Sequence, residues 1–367
     1  MLIIKILCFF IAIQFLCTTC KNIVLNLFLQ PGGNNRLYFT ITIKGITMKA
    51  VRIHNYGTTE ALKIEEVPLP TISNNEILVK VHAASVNHID GLKASGIIKH
   101  IYPLQFPWIP GADFAGTVES IGNDVTEFTP GDAVYGSKTE GGAYAEFIVV
   151  TPDSISYKPK TLSFVEAASV PMVAETALKG LFHHAQLRSG QSILIHGGAG
   201  AVGGYAVQLA HQAGATVIVT ASHSDKDYLL TLGADEIIDY KTGKFETAVT
   251  NVDVVFDLVG GEVQQKSFAV IKQGGCLIAV NQPPSQDEAK KRNITAVFMH
   301  AKPSTDSLTH IANLLDGGKL KIDVAEEYTL EDVRLAWGNN AANLGDKIRS
   351  HTVRVNKKHG KHVLRIR

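Results

Sequence analysis

Eight residues constrain this chain more than any others. GGAGAVGG (197–204) follows the apolar run SILIH directly and precedes a stretch, 201–213, with the apolar periodicity of a helix. Within it Gly198, Gly200 and Gly203 have the spacing G-x-G-x-x-G. At a strand-to-helix junction such glycines allow a tight turn, admit backbone N–H groups to a pyrophosphate, and let the helix pack close to the strand. The helix N-terminus in turn favours negative charge. The spacing alone is weak, but the junction and the βαβ repeat after it meet the structural condition for a dinucleotide fingerprint, with Ala201 and Val202 inside it. The alternative is a Gly-rich turn with no ligand.

The surrounding pattern agrees with the first reading. Residues 192–196, 216–221, 236–240, 253–257 and 275–280 read as strands, and helices are expected over 201–213, 224–232 and 262–272. Continuous apolar strands joined by helical crossovers predict a parallel sheet covered on both faces, so the fold class is α/β with a doubly wound sheet. Before it, 49–57, 76–86, 111–122, 131–136 and 143–150 alternate with period two between Gly, Pro and Asn, which predicts a β-rich, barrel-like module. Ser163 followed by Glu166 is a capping-box signature, and the Ala-rich stretch 164–185 reads as one helix despite Pro171. Helices over 304–315 and from about Leu330 then lead to a final strand, 362–367, expected to pack back on the first module.

Charge and cysteine content exclude other classes. With 35 basic against 34 acidic side chains and no basic stripe, the chain is a poor nucleic-acid binder. Its 4 cysteines are Cys8, Cys17, Cys20 and Cys276, so no internal disulfide framework or zinc knuckle forms beyond the first segment, as in a reducing compartment. Residues 1–47 differ in composition. Lys5 before the apolar run 6–16 fits a signal-peptide core and is too short for a membrane span, although no clean cleavage site follows. The other reading places the true start at Met48, where the first strand begins, and with it a cytoplasmic protein rather than an exported one.

The second strand bears on the cofactor. A free ribose 2′-hydroxyl usually meets Asp or Glu about 20 residues beyond the glycines. That stretch reads Thr220, Ala221, Ser222, His223, Ser224, with no carboxylate at the strand end. A 2′-phosphate is therefore tolerated, with Ser222 and Lys226 as candidates to hold it, and NADPH is favoured. Asp225 stands close by, and Lys226 has a second reading as a solvated helix residue.

These features together with NHIDGLKASG (87–96), IPGADFAGTVESIG (109–122), ETALKGL (175–181), LGADEIIDY (232–240) and FDLVGG (256–261) resemble the medium-chain dehydrogenase/reductase superfamily. Within it the chain is most similar to the zinc-independent quinone oxidoreductase branch, and the resemblance runs over nearly all of 48–367. It implies a GroES-like β-rich catalytic domain over 48–171, a Rossmann dinucleotide-binding domain over 172–300, a return to the first domain over 301–367, and an extension over 1–47. By the same resemblance Asn87 borders the nicotinamide and Asp90 shapes the site from below. Thr176 contacts the nicotinamide half of the cofactor, Tyr240 lies by the adenosine phosphate, and Val259 with Gly260 follows the ribose. A homodimer is expected across the exposed sheet edge.

Two departures matter. Where zinc-dependent members have a GHE motif this chain has Gly111, Ala112 and Asp113, and no Cys lies between Lys21 and Gly275, so a thiolate zinc site cannot form there. His82, His88 and His100 read as surface or hydrogen-bonded residues. Many relatives have NPxDxK, whereas His88 and Leu92 stand at those positions here and Lys93 is displaced by one. Without a Lewis acid the easier reaction is hydride transfer from NADPH to a quinone or α,β-unsaturated carbonyl. No general acid stands out, though Tyr56 and Tyr102 are possible donors, and acceptor choice is expected to lie in loops 95–107 and 282–293. The competing readings are a nucleotide-binding protein without turnover and a zinc alcohol dehydrogenase.

Overall fold

The computed structural model describes residues 23–29, 37–43, 45–341 and 359–367. The signal-like run over residues 1–20 lies outside them. The chain divides into two compact units, residues 1–49 with 66–69 and residues 50–65 with 70–367. In the first, β1 (Ile23–Leu29) and β2 (Leu37–Ile43) form an antiparallel pair. Strands β3 (Thr47–Arg52) and β4 (Lys63–Pro68) follow in the chain.

The second unit is built on two sheets. The first contains β5 (Ile77–Ser85), β6 (Asp113–Ile121), β7 (Ala133–Ser137), β8 (Phe147–Val150) and β9 (Ile155–Tyr157). The other is a parallel sheet of β10 (Ser192–His196), β11 (Thr216–Ala221), β12 (Glu236–Asp239), β13 (Val252–Asp257), β14 (Ile271–Ala279) and β15 (Thr295–Phe298), in the order β12-β11-β10-β13-β14-β15. The chain then re-enters the first sheet as β16 (Val324–Thr329) and β17 (Lys361–Arg365), giving the order β16-β17-β5-β6-β7-β9 with β8 paired to β5. The expected return of the tail is thus a strand pairing, with Val363 opposite Ser85.

Burial explains the parallel sheet. Ile193, Leu194 and Ile195 of β10 are all fully buried, as an unalternated apolar strand covered on both faces requires. At roughly 1.5–3 kcal/mol for each fully buried aliphatic side chain, this strand anchors the loop that follows it.

The helices correct several expectations. The stretch 164–185 is not one helix. It comprises α2 (Phe164–Ala168), α3 (Pro171–Leu178) and a π turn over Lys179–His184. The Ser163–Glu166 capping box forms as expected, with Glu166 N donating to Ser163 Oγ at 3.2 Å and Ser163 N to Glu166 Oε2 at 2.7 Å. Pro171, which lacks an N–H, starts a new helix instead of continuing the old one. An earlier short helix, α1 (His88–Ala94), follows β5, and α4 (Ala201–Gln212), α5 (Lys226–Leu232), α6 (Phe245–Ala248) and α7 (Gly261–Ser267) cross over within the parallel sheet. The helix expected through residue 272 therefore stops at Ser267, because Ile271 already pairs with Val252 as the start of β14. Part of the expected loop 282–293 is α8 (Gln286–Arg292), followed by α9 (Thr305–Asp316) and α10 (Val333–Ala341).

Candidate active site

Strands β10, β11, β12 and β13 finish in step. His196 is level with Thr220 and Asp257, and Ala221 with Asp239. The sheet reverses direction of growth beside β10, and the carboxyl ends at such a switch point are where α/β sheets take ligands. There Gly197 turns with φ +76°, and the chain enters α4 through Gly200. A Cβ on Gly198 would lie 2.2 Å from the Val219 side chain at Cγ1, and one on Gly203 would lie 2.4 Å from the backbone at Gly197 O, so neither position has room for a side chain. The first N–H groups of α4 lack intrahelical acceptors and point into this turn. The arrangement fits a dinucleotide pyrophosphate.

Residues that follow the neighbouring strand ends are exposed. Tyr240, after β12, is 61% exposed, and Val259, after β13, is 49% exposed. Large apolar side chains left bare at strand ends are available to a ligand. Gly260, with φ +84°, completes a turn held by buried Asp257, whose Oδ1 accepts from Val259 N at 3.0 Å and Gly260 N at 2.9 Å. Gln264 Nε2 donates to its other oxygen at 3.1 Å. At the end of β11, Ser222 is buried and donates to Asp225 Oδ2 at 2.7 Å, Asp225 is itself buried, and Lys226 is exposed at the start of α5.

A second polar cluster sits in the β-rich sheet. Asn87, buried at the N-terminus of α1, donates from Nδ2 to Asp113 Oδ2 at 3.0 Å, while its backbone N–H donates to Asp90 Oδ2 at 3.1 Å. Lys361 Nζ donates to Asn87 Oδ1. Asp113 Oδ2 also accepts from Met172 N at 3.2 Å, and Thr176 Oγ1, one turn along α3, donates to Met172 O at 2.7 Å. One carboxylate oxygen thus ties Asn87 to the helix that carries Thr176. Burial pushes the Asp90 carboxyl up to about 7, against the pull of Lys93 and Lys361, and raises Asp113 likewise. Burial lowers Lys361 and Lys93 in turn.

Lys93 donates to Thr139 O and lies 4.9 Å from the Tyr102 ring centroid, and Tyr102 meets His300 edge-on at 6.3 Å. Tyr56 OH accepts from Leu104 N at 3.1 Å and its ring packs on Phe106, so it holds loop 95–107 in shape. His82 bonds Thr117 Oγ1 at 3.0 Å and His100 is exposed. Among the described residues no group of three or more His, Cys, Asp and Glu side chains is placed to hold a metal ion. Where a zinc-dependent member has the His of its GHE motif this chain has Ala112, which cannot ligate a metal, and the neighbouring Asp113 is engaged with Asn87 and Met172. The set does not fit zinc.

The sequence points to Asn87, Asp90, Thr176 and the glycine loop but does not single out Lys361 or Asp257, and Asp113 stands out in it only as the last residue of the altered GHE position. Asp257 carried a signal, a carboxylate closing the apolar run DVVFD before Gly260-Gly261.

Residues 73–160 match the family model described as alcohol dehydrogenase GroES-like domain, and residues 232–343 match that described as zinc-binding dehydrogenase. Mouse quinone oxidoreductase is 31% identical over 304 residues, which cover 77% of this chain and 91% of that protein. The chain belongs to the medium-chain dehydrogenase/reductase superfamily. The solved quinone oxidoreductase of Coxiella burnetii, another superfamily structure, aligns with a TM-score of 0.79 at 34% identity, over 88% of this chain and 100% of that one. Tomato 2-methylene-furan-3-one reductase is 40% identical over 245 residues, 64% of this chain and 62% of that protein. The superfamily's two-part fold, a GroES-like sheet with a Rossmann sheet, is the one observed here, and the chain is an oxidoreductase of that family.

Proposed function

We propose that this protein is an NADPH-dependent, metal-independent oxidoreductase that delivers hydride to a quinone or an α,β-unsaturated carbonyl. One observation carries the reading: a glycine loop built for a pyrophosphate stands at the carboxyl ends of the parallel sheet, and the polar cluster of the β-rich sheet offers hydrogen bonds in place of metal ligands. Bound NADPH supplies the hydride, so the protein's tasks are binding, orientation and exclusion of water.

Gly198, Ala201, Val202 and Gly203 present N–H groups to the pyrophosphate, while Gly200 N donates to Gly197 O at 3.0 Å and closes the turn. Tyr240 flanks the adenosine end, Val259 and Gly260 follow the ribose, and Thr176 and Asn87 border the nicotinamide, with Asp90 beneath. The preference for the 2′-phosphate is supported by the exposure of Lys226 and by the burial of Asp225, one oxygen of which is taken by Ser222. Electron-poor acceptors need no Lewis acid, and solvent can protonate the reduced oxygen. The names of the mouse, Coxiella and tomato proteins point to the same two acceptor classes. A cytoplasmic location and a homodimer across the edge strand β15 belong to the same proposal, and sedimentation checks the second.

The test is loss of absorbance at 340 nm when NADPH and the protein meet a panel of quinones and enones. Acceptor-dependent oxidation, with NADPH favoured over NADH and the preference weakened in K226E, supports the reading. NADPH binding without turnover on any acceptor would establish a binding protein instead, and activity that requires added zinc would establish the metal enzyme.

A further inference from the structure

We infer that Lys361, on the last strand of the chain, is a positioning residue that fixes the orientation of the Asn87 amide. The inference rests on the reading of Asn87 as the residue beside the nicotinamide, and adds what holds it there.

Topology puts the parts in line. β17 pairs antiparallel with β5, Val363 opposite Ser85 and Leu364 opposite Ala84, and Val86 N donates to His362 O at 2.9 Å. Continued past the strand end, that register sets Lys361 opposite Asn87. On the other side β6 pairs with β5, Ala84 opposite Phe114, which sets Asp113 opposite Ser85. Three neighbouring strands therefore deliver a cation, an amide and a carboxylate side by side.

The chemistry follows from the two ends of the amide. A carboxamide has nearly isosteric oxygen and nitrogen ends and can face either way unless its partners discriminate. Here Nδ2 donates to Asp113 Oδ2 at 3.0 Å and Oδ1 accepts from Lys361 Nζ. Turning the amide over would set –NH2 against an ammonium and C=O against a carboxylate. Both partners are buried, Lys361 at 7% and Asp113 at 0% exposure, so neither wrong contact is relieved by solvent. Asp113 is held by Met172 N and Lys361 by the β17 backbone, so both clamps belong to the scaffold rather than to a loop.

The experiment is a double-mutant cycle on the full chain with K361M, N87A and K361M/N87A, reading kcat, NADPH affinity by fluorescence, the thermal midpoint, and crystal structures of wild type and K361M. We expect K361M to lower kcat ~10- to 100-fold, the range for loss of a charge-assisted hydrogen bond. NADPH affinity should stay within about threefold, and K361M should change N87A by less than about twofold, because coupled residues are not additive. The Asn87 amide should be rotated in the K361M crystal. Equal losses from K361M with and without Asn87, or an unmoved amide, overturn the inference. If K361M does not fold, D113N removes the opposite clamp and must show the same dependence on Asn87. If wild type reduces no acceptor, the functional reading fails, while the orientation of Asn87 in the variant crystal still decides the role of Lys361.

Discussion

Adjacent glycines in α4 separate a loop shaped by its ligand from a loop that is merely glycine-rich. At Gly203 a Cβ would stand 2.4 Å from Gly197 O and 2.6 Å from Gly198 Cα, both backbone atoms. Ordinary contact requires the loop to retreat by about 1 Å, and overpacking of this kind costs ~1–3 kcal/mol. The better helix propensity of Ala returns up to ~1 kcal/mol. G203A should therefore lose ~1–2 kcal/mol of stability, a fall of a few degrees in thermal midpoint for a chain of this size. The larger effect is on binding. A displaced Gly197–Gly198 backbone misaligns N–H donors to a charged phosphate, each worth ~1.5–3 kcal/mol, so NADPH affinity should fall at least ~10-fold. At Gly204 the nearest atom to a new Cβ is the Tyr228 hydroxyl at 3.2 Å, a side-chain atom bonded to Asp323 Oδ2 at 2.8 Å that needs to move by only a few tenths of an ångström rather than a backbone that must retreat. G204A should bind NADPH as wild type does and match or slightly exceed its stability. Fluorescence titration with NADPH and thermal melts of the two variants give the answer. Affinity within about twofold of wild type in G203A, or equal damage in G204A, refutes the reasoning.

Asp90 has a folded-state pKa raised from 3.8 to about 7, so between those values the folded protein keeps a proton that the unfolded chain releases. Its contribution is present in full below about pH 4 and is lost as pH rises through 7, by ~4 kcal/mol at most. D90N should flatten the decline in thermal midpoint over that window, with a residual slope from Asp113, which shifts the same way; identical slopes in wild type and D90N would contradict this. D257A removes the acceptor of Val259 N, Gly260 N and Gln264 Nε2 and should raise the KM for NADPH several-fold more than it changes kcat, a split read by initial rates at varied cofactor. Cys276 is buried, with its thiol pushed up to about 11 by burial, so peptide mapping after iodoacetamide at pH 8 should find it unlabelled until the protein is unfolded.

Legibility in the sequence followed the length and covering of each element. SILIH reads as a strand over the residues that form β10, because an apolar run between Gln191 and Gly197 has one buried solution. The helix expected after it, 201–213, matches α4 to within a residue. Phe164–Ala168 and the helix from Pro171 look like one helix in sequence because alanine content is indifferent to where a helix breaks, while the break itself depends on Pro171 taking the first helical position. QDEAKKR reads as loop since it has almost no apolar stripe. Its helix is stabilised by Ser285 accepting from Glu288 N at 3.3 Å and by acidic residues at the start and basic residues at the end. β15, four residues long, is defined mainly by its parallel partner β14.

The site divides along the same line. The glycine loop was legible because its whole geometry lies within eight consecutive residues, and Asn87 and Asp90 because they occur in a motif three residues apart. Lys361 stands 274 positions from the amide it touches, in a stretch that reads only as the approach to a final strand. Nothing in its neighbours distinguishes it from the other lysines of the tail. What distinguishes it is register: moving the β17 pairing by one residue would turn His362 toward Asn87 and send Lys361 to the other face of the sheet. Asp113 is subject to the same logic on β6. The orientation of the proposed catalytic amide is therefore a property of strand pairing, and variants that shift the β17 register without touching any polar residue should impair catalysis as K361M does.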